Sequence, residues 1–226
     1  MNILVFDTET TGLVPNRNDE PEHATLDKWP HIVQFSAVLY DASTNVVLDV
    51  LKQYVRLPPG ITIPLAAFNA HHISDDMCEQ YGIELFDVFC QFFQMLERAD
   101  VLVAHNMMFD RRVVVAELMR MTCEQSMTPS QVHIVNEFLN KLKEFTNQVC
   151  TMVKYTKLCA IPTPKGYKWP SLLELHKTIY NTVPGNLHDA LNDTLVTLRC
   201  YMKVQYNVDP IEISPTFREY SAGIYV

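Results

Sequence analysis

The chain opens with a short run of apolar residues, Ile3-Leu-Val-Phe6, that stops at Asp7. Consecutive apolar positions without helical spacing predict a strand buried on both faces. A polar, proline-containing stretch over 14–31 (Pro15, Asn16, Asn18, Asp19, Glu20, Pro21) predicts a loop. Residues 32–40 and 46–55 predict two strands, and the polar turn Asp41-Ala-Ser-Thr-Asn45 between them predicts a hairpin, ended by Pro58-Pro59-Gly60. Beyond it the period changes. Leu85, Val88, Phe89, Phe92 and Leu96 recur at helical spacing, which predicts a helix with one buried face. Shorter helices are predicted at 64–70 and from Ser74 as a cap to about residue 80. A strand at 101–104, helices at 111–121 and 130–145, and a last strand at 149–153 follow. A loop at 161–166 precedes helices at 171–180 and 189–206. From Pro210 onward no period is visible. This order predicts an α/β fold with helices covering a mixed sheet, as one domain over 1–208 and a tail over 209–226.

Composition narrows the possibilities. Of 226 residues, 48% are hydrophobic and 19% charged, enough apolar material for a core and too much for disorder. Eighteen basic residues against 26 acidic ones give a net charge of −8. That excludes holding nucleic acid by a broad basic surface. An enzyme that supplies positive charge with metal ions is still allowed. The six cysteines, at 78, 90, 123, 150, 159 and 200, form no C-x-x-C pair and read as reduced thiols. No basic segment precedes Asp7, so no signal peptide is expected. No apolar run approaches the roughly 20 residues that span a bilayer. These features predict a soluble, intracellular protein of cytoplasm or nucleus, not secreted and without a membrane partner.

Three segments carry candidate chemistry. In Phe6-Asp7-Thr8-Glu9-Thr10-Thr11-Gly12, Asp7 and Glu9 are two apart and would share one face of a strand. Two adjacent carboxylates repel, and a divalent cation resolves the repulsion. An oxygen-only ligand set favours Mg²⁺ or Mn²⁺ over zinc. In Ala104-His105-Asn106-Met107-Met108-Phe109-Asp110, a short strand ends in polar residues and Asp110 opens the next helix, where it could be a plain cap. In His188-Asp189-Ala190-Leu191-Asn192-Asp193, a common helix would rotate His188 and Asp193 apart by about 140°. Pro184-Gly185 lies just upstream, so the helix can begin near Asp189 and leave His188 in a loop that bends back. Asp189 competes as the acid of this segment, or is the cap.

Together and in this order the segments resemble the three motifs of the DEDDh branch of the DnaQ-like 3′–5′ exonucleases. Weaker likeness runs through Ile32-Val-Gln-Phe35, the segment from Ile63 to Ser74, and Trp169-Pro-Ser-Leu-Leu-Glu-Leu175, over about residues 1 to 206. The long loop at 14–31 and the helix at 130–145 depart from the pattern.

The resemblance implies a ribonuclease-H-like fold, a five-stranded mixed sheet flanked by helices with the first strand central. It implies that Asp7, Glu9, Asp110 and Asp193 hold two Mg²⁺ or Mn²⁺ ions and that His188 is the general base. Thr8, Thr10, Thr11, Gly12 and Leu13 would line the terminal nucleotide, with His105, Asn106 and Phe109 on the other wall. Lys165 and Lys168, then Arg111 and Arg112, are candidates for holding the strand. The implied activity is hydrolysis at single-stranded or frayed 3′ ends to release 5′-mononucleotides, with DNA slightly favoured over RNA. The alternative is a proofreading or accessory subunit that mainly binds a polymerase or other protein through the 14–31 loop and the 130–145 helix. A haloacid-dehalogenase-type phosphatase would need Asp at position 9 and leaves His188 and Asp193 unexplained, and no P-loop is present. His71-His72 lacks a third ligand and reads as structural. Met107-Met108 reads as core, and Trp29 and Trp169, each before a proline, as loop anchors.

Overall fold

The computed structural model describes residues 1–16 and 18–225, so Arg17 of the predicted loop and Val226 of the predicted tail lie outside the described residues. In chain order the elements are β1 (Asn2–Thr10), a 3-10 turn (His23–Lys28), β2 (Ile32–Asp41), β3 (Val46–Tyr54), α1 (Leu65–His71), α2 (Asp75–Tyr81) and α3 (Leu85–Leu96). Then come β4 (Val101–Ala104), α4 (Met107–Cys123), α5 (Pro129–Glu144), β5 (Gln148–Cys150), α6 (Thr151–Lys154) and α7 (Thr156–Cys159). The remainder is β6 (Pro162–Thr163), β7 (Gly166–Tyr167), α8 (Leu172–Tyr180), α9 (Ala190–Tyr206), α10 (Pro210–Ile213) and α11 (Pro215–Tyr220).

Five strands form one sheet in the order β3-β2-β1-β4-β5, with β1 central as expected. β1 runs antiparallel to β2 and parallel to β4. The alternation of β1 explains its unbroken apolar run. Leu4 and Phe6 point into a core shared with α3, α4 and α5, while Ile3 and Val5 point into a second core with α8, α9 and Phe217. Both faces are covered, so no polar position alternates. The first core is aromatic: the Phe92 ring lies 5.3 Å from Phe6 and 5.0 Å from Phe35. Phe138 stacks on Phe93 at 4.1 Å and fixes α5 to α3.

The 14–31 loop is strapped to α4. The Arg120 guanidinium donates to the carbonyls of Leu26, Trp29 and Pro30 and pairs with the buried Glu117 at 2.9 Å. Glu117 also accepts from the Ile32 amide at 3.0 Å. The loop closes where the Thr11 amide donates to the His31 carbonyl and the His31 amide to the Thr11 hydroxyl. Trp29 is buried beside Leu26 and Ala116, the anchoring role expected of it.

Several expectations need correction. The predicted strand at 149–153 is the three-residue β5, and Thr151 already starts α6. The predicted loop at 161–166 contributes the hairpin β6–β7, whose two-residue strands are too short to leave a period. α4 begins at Met107, before Asp110, because Asn106 takes a left-handed φ of 73° and turns the chain at once. The residues after 208 fold as α10 and α11. Fully buried Phe217 enters the second core, and Thr216 Oγ1 accepts from the Val47 amide at 3.0 Å. Helices of four and six residues are likewise too short for a visible period. All six cysteines are free, and Cys123 is exposed. Among the described residues no helix is long and apolar enough to cross a membrane.

Candidate active site

β1 outlasts its parallel neighbour. Val5 pairs with Val103, and β4 ends at Ala104, so Asp7 to Thr10 project past the end of β4. Ligand sites of open α/β sheets occupy such places. In the antiparallel register Asp7 faces Ser36 and Glu9 faces Gln34. By alternation Asp7 and Glu9 share the side of Ile3 and Val5, toward α9, and Thr8 points to the α4 side.

α4 and α9 deliver the other two acids. Asp110, in the first turn of α4, is 2% exposed. Its Oδ1 accepts from the Thr8 hydroxyl at 2.8 Å and the Thr8 amide at 3.1 Å. It is therefore not a plain cap. Asp189 caps α9 by accepting from the Leu191 and Asn192 amides, so it fills the cap role weighed for it. Asp193 lies one turn in. His188 sits in the loop before the helix with φ of 70°, and its amide donates to both Asp193 carboxylate oxygens at 3.3 and 3.4 Å. The bend predicted from Pro184-Gly185 is therefore present. Ligand atoms of Glu9, His188 and Asp193 lie within 4.8 Å of one another.

The electrostatics fit this crowding. Burial, and then the charges of Asp110, Asp193, Glu9 and Asp189, push the Asp7 carboxyl well above its usual range. Burial, Asp193, Asp110 and Asp189 push Glu9 up to about 8. Burial raises Asp110 to about 7 against the Thr8 hydrogen bonds that favour its anion. Burial raises Asp193 to about 7, opposed by the His188 amide. The electrostatic neighbours of Asp7 and Glu9 are acids. A buried set of oxygen donors whose charges lack a cationic side chain suits hard divalent cations.

The expected substrate residues divide into two groups. Leu13 is 86% exposed beside the site and is not core. A Cβ on Gly12 would meet nothing within 4 Å, so the space over it is open. The Thr10 hydroxyl donates to the Gly12 carbonyl at 2.6 Å and shapes this turn. Thr11 is tied to His31 as described above. Phe109 packs partly against the first core.

His105 has both ring nitrogens engaged, by Thr151 Oγ1 at 2.9 Å and the Pro170 carbonyl at 3.1 Å. Burial lowers its pKa to about 4. It straps the 168–171 segment to the site and has no nitrogen left for a substrate. Lys168 pairs with Glu174 at 2.7 Å, whereas Lys165 stands exposed between β6 and β7. Arg112 is buried and pairs with Glu20 at 2.6 Å, which makes it a loop strap and not a strand-holding residue. His71 is structural as expected, its Nε2 3.3 Å from the Thr10 carbonyl and its Nδ1 accepting from the Ile73 amide.

Sequence reasoning missed Gln34 and Lys52. Fully buried Gln34 accepts from the Ala190 amide at 2.8 Å and donates to Asp189 at 3.2 Å, clasping the start of α9 beside Glu9. Lys52 pairs with Asp189 at 2.7 Å. A glutamine inside a mostly apolar strand was the available signal.

Comparison with known proteins agrees with this geometry. The family model described as Exonuclease (RNase T) matches residues 4–201. A DNA polymerase III subunit epsilon-like protein of Rhodobacter capsulatus is 36% identical over 110 residues, which are 49% of this chain and 14% of that protein. E. coli exonuclease I in complex with a dT13 oligonucleotide superposes with a TM-score of 0.61 at 16% identity, over 91% of this chain and 42% of the other. The nuclease domain of 3′hExo, a DEDDh family member bound to rAMP, gives a TM-score of 0.63 at 12% identity, over 92% and 94%. At such identities the structural likeness is one of fold, and it is the ribonuclease-H-like fold that the strand order displays. The family model spans most of the chain, both structural neighbours share its sheet and helices, and the chain belongs to the exonuclease family of DnaQ-like 3′–5′ exonucleases.

Proposed function

We propose that the chain is a metal-dependent 3′–5′ exonuclease that removes 5′-mononucleotides from nucleic-acid 3′ ends. The observation that carries this reading is the convergence of Asp7, Glu9, Asp110 and Asp193, from three elements, beside the looped-out His188. The four carboxylates would hold two Mg²⁺ or Mn²⁺ ions, which balance them in formal charge. Such ions, when bound, supply charge stabilisation at the phosphoryl group and at the attacking and leaving oxygens.

The remaining roles belong to the chain's own residues. His188, exposed at the mouth of the site, takes a proton on its imidazole from the attacking water. Thr8 holds the Asp110 carboxylate in place. Gln34 and Asp189 fix the start of α9 and with it Asp193. Exposed Leu13 and the open turn at Gly12 form a wall for the terminal nucleotide, and Lys165 lies exposed for the strand behind it. DNA is the first substrate to try, because exonuclease I binds a DNA oligonucleotide on the same fold. A proofreading role beside a polymerase is the second reading, supported by the name of the Rhodobacter relative.

Replacing Asp7, Glu9, Asp110 or Asp193 singly by the matching amide tests the site. Each variant should fold and lose more than about 10³-fold in kcat. A variant with wild-type turnover would remove that residue from the proposal.

A further inference from the structure

The loop that carries His188 is held in an unfavourable backbone shape by a distant part of the chain. Asn186 and His188 both have left-handed φ values, 54° and 70°; asparagine reaches this region easily, but the His188 conformation costs free energy that its surroundings must offset. From inside, the Asn192 side-chain amide donates to the Asn186 carbonyl at 2.7 Å. From outside, the hold comes from residues after 208. The Gly185 amide donates to the Ile224 carbonyl at 2.8 Å, and the Asn186 side-chain amide to the Gly223 carbonyl at 3.2 Å.

Those two carbonyls are themselves fixed. Ile224 is 2% exposed, in the core with α9. The next ring, Tyr225, stacks on His176 at 5.6 Å and lies 4.2 Å from the Arg199 guanidinium, which also lies 3.9 Å from the Tyr180 ring. Asp209 locks that guanidinium through two hydrogen bonds of 2.7 and 3.0 Å. The Tyr225 hydroxyl is buried, and the ring, against His176 and the Arg199 guanidinium, does the anchoring.

We propose that Gly223, Ile224 and Tyr225 are a positioning element for His188, anchored through the Tyr225–Arg199–Asp209 stack. The inference rests on the reading of His188 as general base. It goes beyond that reading by making residues 223–225, which supply none of the four acids, a determinant of turnover.

Tyr225→Ala and Tyr225→Phe in the 226-residue chain test it by two readouts taken well below the melting temperature. For Tyr225→Ala, kcat should fall about tenfold with KM unchanged, the signature of a lost contribution to the reacting geometry. Amide hydrogen exchange at 186–188 should quicken. Tyr225→Phe keeps the ring and should match wild type in both. Should Tyr225→Ala fail to fold, Asn186→Asp decides. It keeps a residue that tolerates the left-handed shape, replaces the donor to Gly223 by a carboxylate that repels that carbonyl, and should move both readouts the same way by about threefold. Wild-type kcat and wild-type exchange at 186–188 in the folded variant would overturn the proposal and reduce the segment to ordinary packing. If His188→Ala itself keeps full kcat, the general-base reading is what fails, and the exchange readout still decides whether these residues hold the loop.

Discussion

At the scale of single residues, the site is a set of acids held in a state that disfavours their charge. Ordinary carboxyls titrate near pH 4, so in the unfolded chain they have lost their protons by neutral pH. In the folded, ion-free protein Asp110 and Asp193 keep theirs to about pH 7 and Glu9 to about 8. The folded state thus binds more protons, and its stability falls as pH rises through 7 to 8. Burial lowers the pKa values of His71, His105 and His176, but that contribution is lost only below pH 6.5 and leaves the higher window clear. The melting temperature in EDTA should therefore drop by on the order of 5 °C between pH 6.5 and 8.5. Mg²⁺ should restore it. Asp7→Asn removes one buried charge, so it should flatten the pH dependence and abolish the response to Mg²⁺. A wild-type melting temperature flat across this window would contradict the account of the acids.

The acids were also the most legible residues. Asp7 and Glu9 announce themselves by a spacing of two at the end of an apolar run, and Pro184-Gly185 gives away the bend that frees His188. Gln34 was not legible, because its partner Asp189 lies 155 positions away. His105 and Arg112 were misread for a related reason. Nothing local to them reveals that Thr151, Pro170 and Glu20 occupy their polar atoms.

At the scale of elements, legibility followed length. The spacing of Leu85, Val88, Phe89, Phe92 and Leu96 marks α3 with its ends in place, and capping boxes at Thr128 and Ser171 mark the starts of α5 and α8. The two-residue strands β6 and β7 and the short helices α10 and α11 complete too little of any period to be seen, whereas four-residue β4 was visible as an unbroken apolar run. The 14–31 loop was visible only as polar sequence, yet its residues 23–31 are a fixed piece of structure. Arg120 ties three of its carbonyls to α4, and its closing residue His31 is bonded to Thr11, next to Gly12. Arg120→Met keeps the apolar stem and loses the donors. It should raise KM about fivefold with little change in kcat, and it should open the loop to limited proteolysis. Unchanged KM with a cleaved loop would confine the loop to a structural role.

At the scale of the whole molecule, two cores sandwich one sheet, and the site stands where β1 runs past β4 between the helices that cover the two faces. α4 brings Asp110 from one side and α9 brings Asp193 from the other, so the acids meet only when both layers are packed. The fold class followed from the order of strands and helices. The integration of residues 209–225 did not, because it depends on Phe217 and Ile224 reaching a core assembled from residues far earlier in the chain. The net charge of −8 and the acidic site repel a nucleic-acid strand. Divalent ions therefore have to carry the attraction as well as the chemistry, and turnover should depend on them completely. The most direct measurement is a time course on 5′-labelled single-stranded DNA and RNA of the same sequence, with Mg²⁺ or Mn²⁺, alongside an EDTA control and a covalently closed circle. The account predicts a ladder that shortens from the 3′ end, disappears with EDTA and leaves the circle intact. Cleavage of the circle, or a ladder that persists in EDTA, would contradict it.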